Sequence, residues 1–387
     1  MIAKLLNISL IISTLVATVS VLYCALCIWA GGRFASHRRH SAPQSKATPP
    51  VSILKPLKGT DPEMYASLRS HCAQNYPEYE ILFGVTHPED PAIPVVEKLI
   101  EEFPDRGMQL VRCDKKLGAN GKVSSLAQMA AVAAHDFILV NDSDIRVEPG
   151  YLRQVMTKLQ APETGLVTCL YRGVPADTMA SRLESLSIST DFMAGVLAAR
   201  QIEGGLRFGL GSTLAFRRRD LEAVGGFEAI ADYLADDYEL GRRIAQRNLI
   251  VKLSESVVET YLPAYNLSGF LSHQLRWART IRASRPGGYA GLLFTFTLPW
   301  AVLTLVVAGG ASWAWGLLAA ALTARAAMAL VTAWLVLRDR EFVRWFWLLP
   351  VRDFLAVLIW LGGLVGSKIV WRGEVFHLKN GKLTRSD

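Results

Sequence analysis

The chain has 387 residues, a formal net charge of +8 and 51% hydrophobic residues. This length and composition allow a large folded domain together with membrane segments, and they exclude a disordered chain and a small disulfide-bonded scaffold. The positive balance is compatible with nucleic-acid binding, but the basic residues cluster beside long apolar segments. We therefore predict no nucleic-acid partner and attribute the charge to contact with anionic lipid.

The first predicted element is an apolar segment from Leu5 to Ala30 that contains no charged residue. It is long enough to cross a bilayer as a helix. Basic residues follow it between positions 33 and 39, so the positive-inside rule places its C-terminal side in the cytosol. A secretory signal peptide would be shorter and would carry its basic residues in front. We predict an uncleaved anchor over residues 1–32 and a basic cytosolic linker over 33–50.

The middle of the chain alternates between strand-like and helix-like patterns, and we assign residues 51–288 to one catalytic domain. Strands that alternate with helices over this length predict an α/β fold with a mainly parallel sheet and helices on both faces. Ligands in such sheets bind beyond the carboxyl ends of the strands. The predicted strands are 51–54, 79–85, 108–112 and 137–140, and the predicted helices are 64–74, 92–103 and 122–134.

The apolar strand 137–140 runs into the polar sequence Asn141-Asp142-Ser143-Asp144. Side chains alternate faces in an extended segment, so Asp142 and Asp144 would point to the same side, within reach of one divalent cation. Mg²⁺ and Mn²⁺ prefer oxygen ligands and commonly bridge to substrate phosphates. The alternative for this motif, taken alone, is a solvated turn rich in Asp and Ser.

Two further acidic sites each have an ordinary structural explanation as well. Asp90 lies in the acidic loop that follows the predicted strand 79–85 and precedes a proline, where it could be a turn residue. Asp236 and Asp237 open a predicted helix, where carboxylates also complement the helix dipole.

Basic residues offer positive charge that complements the acidic sites, and an aromatic residue accompanies them. Lys122 follows a glycine-containing turn and could touch a phosphate, or it could be an exposed lysine at a helix start. His273, Arg276 and Trp277 could belong to an active site or to a juxtamembrane belt of basic and aromatic residues. Sugar transfer from a nucleotide diphosphate needs a cation at the diphosphate, a carboxylate base and positive charge for the leaving group. The sequence contains a candidate for each.

The segment from Ser185 to Gln201 is partly amphipathic. It could dip into the lipid headgroup layer and present a lipid acceptor, or it could be ordinary core.

Apolar residues dominate again toward the C-terminus, and we assign residues 289–387 to transmembrane or interfacial helices and a basic tail. Three spans that start in the cytosol would leave the tail outside, whereas its Lys and Arg residues favour the inside. We therefore expect one span to be re-entrant or interfacial, with Arg352-Asp353 as the weakest stretch. Arg325 should pair within the helix bundle, because an unpaired charge facing lipid is costly. The predicted spans are 289–310, 313–337 and 354–370.

Taken together, these motifs resemble the inverting, membrane-anchored glycosyltransferases of the GT-A fold. The resemblance is greatest to the ceramide glucosyltransferase family (glycosyltransferase family 21), which includes bacterial hopanoid-modifying relatives. It covers residues 51–288 and extends to the flanking spans. The segments that carry it are VSILKPLKGTDP (51–62), NYPEYEILFGV (75–85), EDPA (89–92), NDSDIRV (141–147), GLVTCLYRG (165–173), ADDYELG (235–241) and the set His273, Arg276 and Trp277.

The resemblance implies roles for the acidic residues. Asp90 would belong to the uracil side of the nucleotide site, and Asp142 and Asp144 to the metal and diphosphate site. Asp237 would be the general base, with Asp236 as the alternative.

The resemblance also implies that Arg276 and Trp277 line the mouth of the active site. A guanidinium can engage two phosphate oxygens at once, and an indole can pack on a sugar or an acceptor. His273 departs from the family pattern, which usually has Gln or Arg at that place, and Gln274 beside it is a possible substitute.

These implications define an expected function. The protein would be a metal-dependent, inverting hexosyltransferase that uses Mg²⁺ or Mn²⁺ and a UDP-sugar, either UDP-glucose or UDP-N-acetylglucosamine. Its acceptor would be the hydroxyl group of a membrane lipid, either ceramide or a hopanoid polyol. We expect an integral protein of a bacterial inner membrane with its catalytic domain in the cytosol. A processive polysaccharide synthase of the cellulose or hyaluronan type and a non-catalytic membrane scaffold are the alternatives.

Overall fold

A computed structural model describes residues 2–39, 47–371 and 374–385. The chain divides into two compact units, each built from three separate parts of the sequence. The helical unit comprises Met1–His40, Asp177–Gln201 and Ala264–Val370. The sheet unit comprises Ser41–Ala176, Ile202–Pro263 and Trp371–Asp387.

The sheet unit is organised around an eight-stranded mixed sheet with the order β3-β2-β1-β4-β7-β6-β8-β5. Its strands are β1 (Val51–Pro56), β2 (Tyr79–Val85), β3 (Gly107–Arg112), β4 (Phe137–Val140), β5 (Ile145–Arg146), β6 (Thr164–Val174), β7 (Leu214–Arg217) and β8 (Ile250–Tyr261). β1 pairs in parallel with β2 and β4, β2 with β3, and β6 with β8. β7 is antiparallel to β4 and β6, and β5 is antiparallel to β8.

The described residues also form fifteen α-helices. In chain order these are α1 (Ile2–Arg39), α2 (Met64–Cys72), α3 (Ile93–Glu102), α4 (Gly121–Val132), α5 (Tyr151–Leu159), α6 (Met179–Ser187), α7 (Met193–Ile202), α8 (Arg218–Glu222), α9 (Asp236–Gln246), α10 (Leu267–Ser284), α11 (Pro286–Gly291), α12 (Thr297–Val307), α13 (Ser312–Ala329), α14 (Phe342–Trp345) and α15 (Leu349–Gly363). Two π-helical segments, Ile188–Phe192 and Leu330–Val336, follow α6 and α13 directly. Three short 3₁₀ segments are Glu228–Ile230, Leu292–Thr295 and Phe346–Leu348.

Helices cover both faces of the parallel part of the sheet, as the sequence predicts. Val51 and Ile53 of β1 belong to the main core cluster together with Leu68 of α2 and Val96 of α3. On the opposite face, β2 approaches α4 so closely that a Cβ at Gly84 would lie 2.6 Å from the Met129 sulfur. Strands buried on both faces read as continuous apolar runs, which explains the composition of β1 and β4. The α/β fold with a mainly parallel sheet is confirmed.

The C-terminal residues of the sheet unit form a hairpin of β10 (Glu374–Lys379) and β11 (Lys382–Arg385), and β9 (Lys368–Trp371) precedes it in the chain. The turn residues Asn380 and Gly381 have φ values of 51° and 78°. Positive φ at both central positions is typical of a tight hairpin turn, and Asn-Gly is the pair that adopts it most readily. Main-chain bonds run from Leu234 N–H to the Gly381 carbonyl (3.1 Å) and from Leu383 N–H to the Asp232 carbonyl (2.7 Å). The hairpin is therefore attached to the loop that leads into α9.

In the helical unit, three helical stretches are long and apolar enough to cross a membrane: Lys4–Arg38, Ser312–Val336 and Phe342–Gly363. A fourth candidate is a pair, Pro286–Thr295 and Thr297–Val307, bent by 54° at its break. These apolar helices indicate membrane association.

The predicted C-terminal spans need two corrections. The last one begins at Phe342, not at position 354, and its helix ends at Gly363. The interrupted span is the first of the three, not the stretch around Arg352-Asp353, whose side chains are buried. Sequence inspection misjudged that stretch because a charged pair inside a helix lowers hydropathy even when both side chains point into the protein.

Arg325 pairs within the bundle, as predicted. Its Nε lies 3.1 and 3.0 Å from the two carboxylate oxygens of Asp353, and its Nη2 lies 2.7 Å from Asp191 Oδ1. Nη2 also donates to Thr190 Oγ1 at 3.2 Å. Arg325 and Asp353 are both buried, so this ion pair joins α13 to α15 in the interior of the unit.

Replacing Asp353 with Asn should destabilise the helical unit by about 3 kcal/mol, because it leaves a buried guanidinium with only part of its compensating charge. The measurement is the thermal unfolding midpoint of the detergent-solubilised chain. Glu341→Gln is the matched control, since its partner Arg344 is 72% exposed and surface pairs contribute little. An Asp353→Asn midpoint equal to that of the control would contradict the prediction.

Candidate active site

The Asp142-Ser143-Asp144 motif lies in the turn between β4 and β5, not in a continuation of the strand. The alternation of side chains expected for an extended segment therefore does not position these carboxylates. Instead, the buried amide of Asn141 fixes the start of the turn by donating to the Tyr151 hydroxyl (2.9 Å) and the Ser212 carbonyl (2.6 Å). The motif is held at the carboxyl end of β4, where ligands of α/β sheets commonly bind.

The ammonium group of Lys122 joins two of the predicted acidic sites. Its Nζ lies 2.7 Å from Asp142 Oδ1 and 3.1 Å from Asp236 Oδ2. Burial alone would lower the pKa of Lys122, but the charges of Asp142, Asp236 and Asp237 outweigh burial and raise that pKa above its ordinary value. Lys122 is thus a permanently charged bridge between the end of β4 and the start of α9.

The loop before α4 aims Lys122 at these carboxylates. The Asn120 side chain caps α4 by accepting the Val123 N–H at 3.2 Å, and its amide group donates to the Tyr233 carbonyl at 2.7 Å. The Asn120 N–H donates to the Ala231 carbonyl at 2.8 Å. A Cβ at Gly118 would lie 2.5 Å from that same carbonyl oxygen, so only glycine allows this approach.

Asp237 is anchored by main-chain donors. Its Oδ2 accepts the Gly211 N–H at 2.7 Å, and its Oδ1 accepts the Tyr238 N–H at 2.8 Å. Burial, followed by the negative charge of Asp236, raises the pKa of Asp237 to about 6, although Lys122 opposes the shift. Asp237 is therefore a stronger base than an ordinary aspartate and is ionised at neutral pH.

Gly211 separates two of the carboxylates. A Cβ at this position would lie 3.2 Å from Asp142 Oδ2 and 3.2 Å from Asp237 Oδ2. The two oxygens thus face one another across the space that the missing side chain leaves open. Lys122, Asp142, Asp236 and Asp237 form a single charged cluster, which we call the β4 cluster.

Asp144 lies on the other side of the motif. It accepts a hydrogen bond from the Thr260 hydroxyl, and burial together with the Asp142 charge raises its pKa to about 6. Its carboxylate is thus in an environment with excess negative charge, which a cation would relieve.

Lys55 is a functional candidate that the sequence analysis missed. This fully buried side chain lies in β1 and donates from Nζ to the Asp142 carbonyl at 2.9 Å. Burial lowers the pKa of Lys55 to about 7, an effect that the charges of Asp144 and Asp142 oppose. The signal was available in the sequence, because a lysine in a buried strand needs a polar partner.

A metal ion fits this site only if it takes most of its ligands from a substrate. Among the residues that the structure describes, no group of three or more His, Cys, Asp or Glu side chains is arranged to hold a metal. Asp142 and Asp144 supply two carboxylates, and Mg²⁺ often needs no more than one or two together with phosphate oxygens and water. The excess negative charge at Asp144 and the space at Gly211 are consistent with this arrangement.

Asp90 makes a separate set of contacts in the sheet unit. Its carboxylate accepts the Gly59 N–H, at 3.0 Å to Oδ1 and 3.2 Å to Oδ2, and the Ala92 N–H at 2.9 Å. It therefore braces the loop after β1 against the start of α3.

The predicted set His273, Arg276 and Trp277 lies on α10, in the helical unit. The His273 Nδ1 lies 2.9 Å from Glu184 Oε1, and its ring centroid lies 5.6 Å from that of Trp277. Trp277 also packs edge-on against Phe192 at 5.5 Å. His273 and Trp277 thus belong to one aromatic cluster, while the β4 cluster belongs to the sheet unit.

Comparison with known proteins agrees with the resemblance found in the sequence. The model of glycosyl transferase family 21 matches residues 10–384. Ceramide glucosyltransferase 3 of Caenorhabditis elegans is 24% identical over 357 residues, which cover 88% of this chain and 75% of the relative. Ceramide glucosyltransferase 1 of the same organism is 26% identical over 270 residues, which cover 69% of this chain and 57% of the relative.

Among solved structures, similarity extends to a mannosyltransferase from Pyrobaculum calidifontis in complex with GDP-mannose and Mn²⁺. The TM-score is 0.48 at 20% sequence identity, and the match covers 89% of this chain and 99% of that one. The family match, in contrast, spans nearly the whole of this chain. The chain therefore belongs to glycosyl transferase family 21, the ceramide glucosyltransferase family of hexosyltransferases.

Proposed function

We propose that this protein transfers a hexose from a UDP-sugar to the hydroxyl group of a membrane lipid, with inversion at the anomeric carbon. The observation that carries the proposal is the β4 cluster, in which a lysine and three aspartates converge at the end of a central strand. Such a cluster combines a carboxylate base with positive charge for a leaving diphosphate. The apolar helices support a lipid acceptor, because they would hold the enzyme at the membrane.

Asp237 is the proposed general base. The acceptor oxygen attacks the anomeric carbon and forms the new glycosidic bond, while the bond from that carbon to the diphosphate oxygen breaks. Asp237 takes the acceptor's proton, and UDP leaves with the electron pair. Asp236 remains the alternative, but its carboxylate is already engaged in an ion pair with Lys122.

Asp142 and Asp144 are the proposed ligands of Mg²⁺ or Mn²⁺. The bound cation would supply positive charge that stabilises the departing diphosphate. Lys122 would contribute a second positive charge at the same place, since its ammonium group already contacts Asp142. Lys55 donates to the main-chain carbonyl of Asp142 and so helps to fix the position of this residue.

The remaining assignments extend the proposal. Asp90 is proposed to lie on the uracil side of the donor site, and Arg276, Trp277 and His273 to contact the diphosphate, the sugar or the acceptor. The names of the relatives favour glucose as the sugar and ceramide as the acceptor. UDP-N-acetylglucosamine and a hopanoid polyol are the competing donor and acceptor. We further propose a bacterial inner-membrane location with the sheet unit in the cytosol.

Incubation with UDP-glucose or UDP-N-acetylglucosamine and vesicles that contain ceramide or a hopanoid polyol tests the function directly. Mass spectrometry of the lipids should find a single added hexose. A polymeric product would indicate a processive synthase instead, and no product with any combination would contradict the proposal.

Asp237→Asn should lower turnover about a hundredfold or more, because the amide cannot accept the hydroxyl proton. Binding of UDP, measured by calorimetry, should change little. Asp136→Asn is the matched control in the sheet unit, since that side chain is 89% exposed. If Asp237→Asn keeps full activity while Asp236→Asn loses it, the base is Asp236.

Dialysis against a chelator should stop sugar transfer, and added Mg²⁺ or Mn²⁺ should restore it. The physical reason is that the departing diphosphate needs a cation to neutralise its charge. Adding Ca²⁺ after the same dialysis compares the activity restored by a larger cation with that restored by Mg²⁺ or Mn²⁺. Full activity after removal of divalent cations would refute the assignment of Asp142 and Asp144.

Lys122→Gln should tighten Mn²⁺ binding in the absence of substrate, because the ammonium group competes with the metal for Asp142. Turnover should fall, since the leaving diphosphate loses a neighbouring positive charge. Calorimetry measures the first effect independently of activity. Lys116→Gln, at an exposed position near α4, is the control. Unchanged or weaker Mn²⁺ binding in Lys122→Gln would show that the lysine and the metal do not share Asp142.

A further inference from the structure

The helical unit contains buried polar atoms that its own residues do not satisfy. Among the described residues, none lies within hydrogen-bonding geometry of Arg352 Nε or Nη1, or of Glu184 Oε2. Both side chains are almost fully buried, at 6% and 1% exposure. A buried polar atom without a partner is costly, so each such atom in a folded protein calls for an explanation.

These atoms belong to one patch where three helices meet. Arg352, on α15, donates from Nη2 to Ser187 Oγ on α6 (2.5 Å) and to Gln274 Oε1 on α10 (3.3 Å). Glu184 lies one turn before Ser187 on α6, and its Oε1 lies 2.9 Å from Nδ1 of His273, the neighbour of Gln274. Residues three apart on a helix share a face, so the Arg352–Ser187 contact and the His273–Glu184 contact lie next to each other on α6.

Aromatic rings border the patch. His273 stacks on Tyr265 with a centroid separation of 5.5 Å and lies 5.6 Å from Trp277. Trp277 in turn packs on Phe192 at 5.5 Å. These four side chains are only partly buried, so the border is accessible while the polar atoms behind it are not. We call Glu184, Ser187, His273, Gln274 and Arg352, together with this border, the α6 patch.

The unsatisfied atoms define the chemistry of a ligand. Arg352 offers three N–H donors on Nε and Nη1, which require a carbonyl or hydroxyl oxygen. Glu184 Oε2 is an acceptor and requires a hydroxyl or amide N–H. A phosphate would satisfy Arg352, but the carboxylate of Glu184 would repel it. A neutral group that carries both donors and acceptors fits the patch.

The membrane provides such a group. Arg352 lies within the candidate span Phe342–Gly363, so this part of the α6 patch belongs to a helix long and apolar enough to be surrounded by lipid. We propose that the α6 patch binds the polar head of the lipid acceptor, with Arg352 holding a carbonyl or hydroxyl oxygen and Glu184 accepting from a hydroxyl or an amide N–H. This inference rests on the proposed function and assigns the acceptor side of it to named residues.

Photolabelling of the full chain in phosphatidylcholine nanodiscs tests the site without relying on turnover. The probe is a ceramide with a photoreactive group next to its amide. Labelled peptides, mapped by mass spectrometry, should come from α6, α10 and α15. Unlabelled ceramide or a hopanoid polyol should compete, and the stronger competitor identifies the acceptor. Competition by phosphatidylglycerol at the same concentration would overturn the choice of a neutral head group.

Two variants test whether Arg352 and Glu184 contribute to binding of the lipid head. Arg352→Gln and Glu184→Gln should each weaken labelling of these peptides about tenfold, the loss expected when a hydrogen bond to a charged group disappears. The KM for the lipid should rise by a similar factor while the KM for the UDP-sugar stays unchanged. Arg344→Gln is the control, because that arginine is exposed in the same unit. If Arg352→Gln fails to fold, the nearly isosteric Glu184→Gln still decides the question.

The outcomes separate the two proposals. Asp237→Asn should lose transfer and keep labelling, because it alters the base and not the α6 patch. Wild-type labelling elsewhere, or labelling that neither variant changes, would overturn the head-group site and leave the transferase proposal standing. Labelling of the α6 patch in a wild-type chain that transfers no sugar would overturn the transferase proposal instead.

Discussion

The ammonium group of Lys122 allows several carboxylates to occupy the end of β4 together. Two unit charges about 4 Å apart interact by roughly 4 kcal/mol at an effective dielectric constant of about 20, so uncompensated aspartates would repel one another strongly. Lys122 contacts Asp142 and Asp236 directly, and its charge opposes the shift that burial imposes on the pKa of Asp237. The carboxylates can therefore remain close together in the folded protein before a donor substrate binds.

Main-chain hydrogen bonds give this cluster its precision. The Ala231–Leu234 segment accepts from the loop before α4, bonds to the C-terminal hairpin and then leads into α9. The loop that precedes Lys122 is thus bonded to the segment that precedes Asp236, which fixes the two residues relative to each other. The Gly211 N–H holds the Asp237 carboxylate. Main-chain hydrogen bonds keep their geometry when a side chain changes its rotamer. The distances within the cluster therefore depend more on the fold than on the charges of the cluster itself.

The sequence predicted local features well and non-local ones poorly. Strands Tyr79–Val85 and Phe137–Val140 have the predicted bounds, because an apolar run bounded by polar turns is a local signal. The grouping of Asp142 with Asp236 and Asp237 was inferred from the needs of sugar transfer and from the resemblance, since the contact of Lys122 with Asp236 joins residues more than a hundred positions apart. Lys55 and the Asn380-Gly381 hairpin were missed even though both carry a local signal. The composition of the two units could not be foreseen, because each gathers three distant segments.

Arg325 and Arg352 show how the same residue type can serve two purposes in one helical unit. Arg325 is matched by the carboxylates of Asp353 and Asp191 and donates from Nε and Nη2, although its Nη1 also has no partner among the described residues. Among the residues that the structure describes, Arg352 donates to two neutral oxygens, both from Nη2. An arginine kept solely for stability would be expected to resemble the first, because breaking or underfilling a buried charge contact is strongly destabilising. The incomplete contacts of Arg352 are therefore better explained by a partner that arrives from the membrane than by packing alone.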